Sequence, residues 1–136
     1  VKKMDISQDC KPLIRSSSFL DLLVPFYYRE NAEGFTVGIR VEEKHTNARG
    51  LAHGGLFMAL ADIALGYSAA FSKDPPLKLV TTTMTTDFAG SAKVGDWLEA
   101  AVDIQKSGSR LVFANTYISA GEERVVRASA SFLVVG

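Results

Sequence analysis

Asp62 stands in a sixteen-residue run, Leu56 to Phe71, that is apolar at nearly every other position. Its neighbours Leu56, Phe57, Met58, Leu60, Ile63, Ala64 and Leu65 predict a helix apolar on most sides, and such a helix is expected to be buried on most sides. A carboxylate placed there is costly unless something satisfies it. Two roles fit: a structural Asp that caps or bridges a backbone group, or a general base held in a low dielectric. Just upstream, His53-Gly54-Gly55 marks the start of the helix. The first turn of a helix presents N–H groups without internal partners and the positive end of the dipole. Glycine lets a ligand approach that backbone, so a carbonyl turning into an oxyanion is a suitable guest. On the dipeptide alone, a tight loop-to-helix turn is the simpler reading.

His45 and Asn47 lie in the preceding loop, Glu43-Lys44-His45-Thr46-Asn47. An Asn amide can donate to a carbonyl or hold a water, and in a loop it also supports turns. His45 and His53 are eight residues apart with no Cys or carboxylate at ligand spacing, so no metal site is expected. No Gly-x-Ser-x-Gly elbow is present, which sets a serine hydrolase aside.

Punctuation and alternation reveal the elements that must hold these groups. Ser16-Ser17-Ser18 before Phe19-Leu20-Asp21-Leu22-Leu23 predicts a capped short helix or turn, ended by Pro25. Phe26 to Glu30 and Phe35 to Val41 predict strands about a turn at Asn31-Ala32-Glu33-Gly34. Glu42 to Ala52 is a polar loop with Asn47 and Gly50 as turn formers. The apolar helix follows, and Lys73-Asp74-Pro75-Pro76 stops it. Leu79 to Phe88, Trp97 to Lys106, Leu111 to Ser119 and Arg124 to Val135 predict four further strands. Their short connections favour antiparallel hairpins. One long apolar helix against an antiparallel sheet is an α+β layer architecture, here a single domain over residues 1–136 with its core from about 24 to 135.

Composition agrees, with 47% hydrophobic and 22% charged residues arguing against disorder. Fifteen basic and fifteen acidic residues leave no global field to draw nucleic acid or an anionic membrane. A local basic patch for a phosphorylated ligand stays open. Cys10 is the only cysteine, so no intrachain disulfide forms, which fits a reducing compartment. No basic, apolar and small-residue leader is visible, and a cytoplasmic location is expected. The run from Leu56 to Phe71 is short for a membrane span and holds Asp62, Gly66 and Ser68, so a buried helix in a soluble oligomer is the expectation.

From His45 to Asp62 the chain combines Asn47, Gly50, His53-Gly54-Gly55 and the helical Asp62. In that order and spacing it resembles the signature of hotdog-fold acyl-CoA thioesterases, in the PaaI-like branch typified by phenylacetyl-CoA thioesterases. Val80 to Phe88, leading into Gly90-Ser91-Ala92-Lys93-Val94-Gly95-Asp96, resembles that family's third strand and following turn. The resemblance extends from about Gly34 to Val135. It implies a hotdog fold, an antiparallel sheet wrapped around one long buried helix. It also implies hydrolysis of acyl- or aryl-CoA thioesters to free acid and coenzyme A, with no further cofactor.

Residue by residue, the resemblance makes Asp62 the general base or nucleophile and the Gly54-Gly55 backbone the group that polarises the carbonyl. Asn47 would orient substrate and water. Thr81 falls where relatives carry a small hydroxyl residue, often Ser, that holds the water. His53 would orient rather than carry protons. Gly54, Leu56, Phe88 and Gly90 would border the substrate, while Ser91, Lys93, Lys106 and Arg110 lie in segments that run near the nucleotide end of coenzyme A. Leu56, Phe57, Leu60 and Tyr67 could line an aryl slot or a medium-chain tunnel.

Asp62 follows Gly54-Gly55 by seven or eight residues, about 11–12 Å along a helix axis. A base-held water and the donors on the carbonyl must converge within about 3 Å. One helix can hardly supply both ends, whereas two antiparallel copies about a two-fold axis can. A homodimer is therefore expected, and the resemblance implies that dimers pair further into a dimer of dimers. Two rival readings are a hotdog hydratase or dehydratase, which sets a His beside a carboxylate, and a non-catalytic acyl-CoA-binding module. Asn47, Gly55, Asp62 and the Thr81 hydroxyl argue against the latter.

Overall fold

The computed structural model describes residues 10–13, 17–32 and 34–136. Ser16 of the expected cap, Glu33 of the expected turn and the first nine residues lie outside the described residues. The short helix is a single 3-10 turn, Leu20–Leu22, at whose start the Leu20 N–H donates to Ser17 Oγ (3.2 Å).

The long helix α1 spans Gly54–Ala70. Its Ala, Leu and Met residues are good helix formers, and the approach to Pro75-Pro76 ends it. Leu56, Phe57, Leu60, Ala61, Ala64, Leu65 and Ala69 are buried. Each larger side chain among them contributes about 1.5–3 kcal/mol by leaving water. The expectation that Asp62 is buried is not met: Gly55, Met58 and Asp62 are exposed, and Ala59, Gly66 and Ala70 are half-buried. The sheet covers only one side of α1. The uncovered side is itself made of small and apolar residues, so composition gives no sign that it is open.

Among the described residues, seven strands form one antiparallel sheet: β1 Lys11–Pro12, β2 Tyr27–Asn31, β3 Gly34–Arg40, β4 Lys78–Phe88, β5 Trp97–Ser107, β6 Leu111–Ala120 and β7 Glu123–Val135. Their order is β1-β2-β3-β5-β6-β7-β4, and α1 packs across β3 to β7. This is the hotdog architecture, with β1 a two-residue addition to the expected elements. β5, β6 and β7 are linked by hairpins as expected. β4 is not: it lies at the far edge, beside β7, and the 89–96 connection crosses back to β5 beside β3. A sheet curled around a helix brings those positions close enough for a short link. That link pairs with the loop before α1 through the Leu51–Lys93 bridge and a bond from Ala52 N–H to Ala92 O (2.8 Å).

On the outer face of β3 and β5, Trp97 lies over Gly38 and is 5% exposed. Its Nε1–H donates to Glu99 Oε1 (3.0 Å), and Arg29 forms a two-pronged ion pair with the same carboxylate at 3.0 and 2.9 Å. This pair and the Arg40 guanidinium, 5.5 Å from the Trp97 ring centre, tie three strands together. Among the described residues no helix is long and apolar enough to cross a membrane.

Candidate active site

Thr81 and Asp62 come from different elements and meet. Thr81 pairs with Phe132, whose side chain is buried in the core, so Thr81 faces α1. Its hydroxyl donates to Asp62 Oδ1 at 3.1 Å. A bulge between Thr81 and Thr83 follows directly, and bulges re-aim side chains. Both residues are exposed in the single chain, on the flank of α1 nearest the β4 edge.

At the start of α1, His53 is the N-cap, in extended conformation with φ −66° and ψ 141°. Its Nδ1 accepts the Gly55 N–H at 2.8 Å, satisfying one of the amides a helix start leaves unpaired. The expected free donor at Gly55 is therefore occupied, and a carbonyl seated there has to displace the imidazole. A Cβ on Gly55 would lie 3.0 Å from that same Nδ1, so the glycine also makes room for the ring. The Gly54 amide donates to no group among the described residues.

Asn47 both supports its turn and keeps a donor. Its Oδ1 accepts from Arg49 N–H (2.9 Å) and Leu51 N–H (3.1 Å), while Gly50, at φ +77°, closes the turn by donating to Asn47 O (3.0 Å). With the oxygen held by two amides, the side-chain NH₂ is fixed in direction and remains to donate.

Phe88, 51% exposed, stands beside the helix start: a Cβ on Gly54 would meet its ring at 3.5 Å, and it packs edge-on to Phe57. Leu56 is buried in the core rather than open to a ligand. Gly90 donates to Val125 O (3.0 Å). Ser91 and Lys93 are exposed at this same end of the molecule, next to the Ala52–Ala92 pairing. Lys106 and Arg110 are exposed at the other end, where Ser107 bonds Ser72 (2.7 Å) and Lys73 reaches Gly108 O (3.1 Å) past the C-terminus of α1. The seventeen residues of α1 separate the two groups by about 25 Å. One chain does not bring these four side chains together.

Tyr67 is likewise parted from Leu56, Phe57 and Leu60. With Tyr28, Phe35 and Phe71 it lines a cavity of about 180 Å³ on the β2–β3 side. Among the described residues no three His, Cys, Asp or Glu side chains gather as a metal site. What sequence reasoning missed is the uncovered stripe of α1. Its signal was the recurrence of small residues at Gly55, Ala59, Gly66 and Ala70 around Asp62.

A model of the thioesterase superfamily matches residues 49–127. The chain is 46% identical over 130 residues to a Pseudomonas aeruginosa protein named "Putative esterase PA0474", covering 95% of this chain and 97% of that one. It is 32% identical over 77 residues to mouse acyl-coenzyme A thioesterase 13, covering 57% of this chain and 54% of that protein. The solved structure of the Escherichia coli PaaI protein, from the phenylacetic acid degradation operon, superposes with a TM-score of 0.78 at 21% identity, covering 89% and 86% of the two chains.

Proposed function

Because the chain belongs to the thioesterase superfamily, we propose that this thioester hydrolase acts on acyl-coenzyme A, releasing the free acid and the coenzyme A thiol. The observation that carries the reading is the 3.1 Å contact between Thr81 and Asp62 on the open flank of α1. In this reading water attacks the thioester carbon while Asp62 takes its proton. The C–S bond then breaks, and the departing thiolate takes up the proton that Asp62 had accepted, which restores the carboxylate. The Thr81 hydroxyl donates to the carboxylate and offers its lone pairs to the water, which holds both in line. The carbonyl oxygen needs donors where its charge develops. The Asn47 NH₂ and the Gly54 amide suit that task, and the Gly55 amide joins them where the carbonyl displaces the His53 imidazole. Water is the second substrate, and the chemistry requires no redox or group-carrying cofactor. Ser91 and Lys93, exposed beside the helix start, suit the polar part of coenzyme A. The lone Cys10 fits a reducing compartment, the cytoplasm in this proposal.

The site is completed by a second copy. Asp62 lies eight residues beyond Gly54, about 12 Å along the axis, too far for both to act on one carbonyl. Among the described residues no strand lies on the outer side of β4, and the small-residue stripe of α1 runs beside it. A two-fold axis there pairs β4 with β4 and sets the two helices antiparallel, so each Asp62 approaches the other chain's helix start.

The test is thiol release from a panel of aryl, short-chain and long-chain acyl-CoAs. Free coenzyme A is expected from at least one. Asp62→Asn should lower kcat by about 10²–10⁴, the scale of a lost positioned base, and Thr81→Val by less. Binding across the panel without thiol release overturns the reading.

A further inference from the structure

His45 is 2% exposed, deeply buried for an imidazole. Buried polar atoms require partners, and both ring nitrogens have one. Nδ1 accepts the Glu42 N–H at 2.9 Å, and Nε2 lies 2.6 Å from Leu23 O. A carbonyl only accepts and a backbone amide only donates, so the proton sits on Nε2 and the ring is neutral. A second proton would point an N–H at the Glu42 N–H. With both nitrogens engaged, the ring has no lone pair left for a metal.

The same residue extends the chain of bonds toward the site. Its carbonyl accepts the His53 N–H (2.8 Å), and His53 in turn holds the Gly55 amide. On its other side Thr46 bridges Ala52, and Asn47 follows at once. The imidazole therefore ties the turn before β2 to the loop bearing Asn47 and to the start of α1, joining residues 22 positions apart.

We infer that His45 is a positioning residue, whose neutral Nε2–H ring sets the placement of the Asn47 amide and the helix start against the carbonyl to be cleaved; the inference rests on the function proposed above. It touches no substrate. A displacement of about 1 Å in such groups can cost about 10²-fold in rate, and the loss belongs in kcat because the carbonyl oxygen demands most of its donors in the transition state.

Three measurements test this. The ring nitrogens of the unaltered protein, read by ¹⁵N NMR, should show a neutral Nε2–H imidazole; a cationic ring or an Nδ1–H form at neutral pH overturns the inference whatever the enzyme hydrolyses. His45→Leu keeps apolar bulk and removes both bonds. Amide exchange should quicken at His53 and Gly55 while Val126 and Ala128 in β7 stay protected. kcat should fall about 10–100-fold, with KM moving much less. His45→Gln, which retains a donor and an acceptor, should recover most of the rate. A folded His45→Leu with unaltered kcat, or with β7 amides loosened as much as the loop, overturns it. If His45→Leu does not fold, His45→Gln decides: a folded glutamine variant whose His53 and Gly55 amides exchange much faster than in the unaltered protein, or whose kcat falls as far as expected for leucine, counts against the inference. Absence of thiol release by the unaltered protein counts against the functional reading alone, because the ring and exchange measurements do not depend on turnover.

Discussion

Two inactive variants of this protein should restore one another. Asp62→Asn removes the carboxylate. Asn47→Asp is the better partner than alanine, because an Asp oxygen can still accept from Arg49 and Leu51 while the donor NH₂ is lost. If Asp62 of one chain works with Asn47 of the other, a mixed dimer holds one undamaged site and one doubly damaged site. Random pairing of equal amounts makes half the dimers mixed, so about a quarter of all sites should recover. Each variant alone should sit about 10²–10⁴ below the unaltered enzyme, so a quarter of full activity stands far above either background. The two chains are unfolded together, refolded and assayed for thiol release, with each variant taken alone through the same cycle. Distinct tags recovered together show that mixed dimers exist. Activity that stays at background although mixed dimers are present means each site lies within one chain. The 12 Å argument would then be wrong.

Three further outcomes follow from named contacts. A Cβ on Gly38 would lie 2.3 Å from Trp97 Cζ2, so Gly38→Ala must expel the ring. A loss of about 3 kcal/mol is expected, near the cost of deleting a buried Trp, with a red shift in emission from the chain's single Trp; unchanged emission and denaturation midpoint would refute it. Glu99→Gln, which breaks the part-buried pair with Arg29, should cost about 2 kcal/mol in urea unfolding, less than a fully buried pair because both side chains keep some solvent. The hydrogen bonds that Arg29 donates to Glu99 raise the Arg29 pKa above the ordinary arginine range; a raised folded value means that this stability is lost only as pH climbs through it, so a midpoint falling across the neutral to mildly alkaline range would not trace to Arg29. His53→Ala removes the cap on Gly55 and should destabilise the fold by about 1 kcal/mol, whereas His53→Asn, which can still accept that amide, should lose only part of it; equal melting curves for all three proteins would contradict the capping geometry.

The local elements were legible because their signals are local. Pro75-Pro76, Gly95 and Gly121 punctuate the chain where the helix and strands end, and alternation marks β3 within a residue or two. The partner of β4 was not legible. Short connections argue for a hairpin with β5, and only packing around α1 moves β4 to the far edge. The exposure of Asp62 was hidden for a related reason: an apolar run predicts burial without saying whether a sheet or another chain provides it. The Thr81 contact was anticipated by resemblance, since nothing in the spacing of two residues nineteen apart predicts it. Gly55 and His53 were both singled out, yet the bond between them depends on a ring orientation that residue types do not encode. Lys106 and Arg110 were grouped with Ser91 and Lys93 by resemblance alone, and the length of α1 separates them.

The open side of β4 also bears on the life of the chain before it finds company. An eleven-residue edge with five threonines, no proline and charges only at Lys78 and Asp87 lacks most of the devices that keep strands from templating one another; the bulge near Thr81 is its main protection. Under the pairing proposed above, dilution, slow synthesis or a variant that weakens it would prolong that exposure. Solubility would then depend on how quickly copies meet, because an uncovered edge can accept another extended segment.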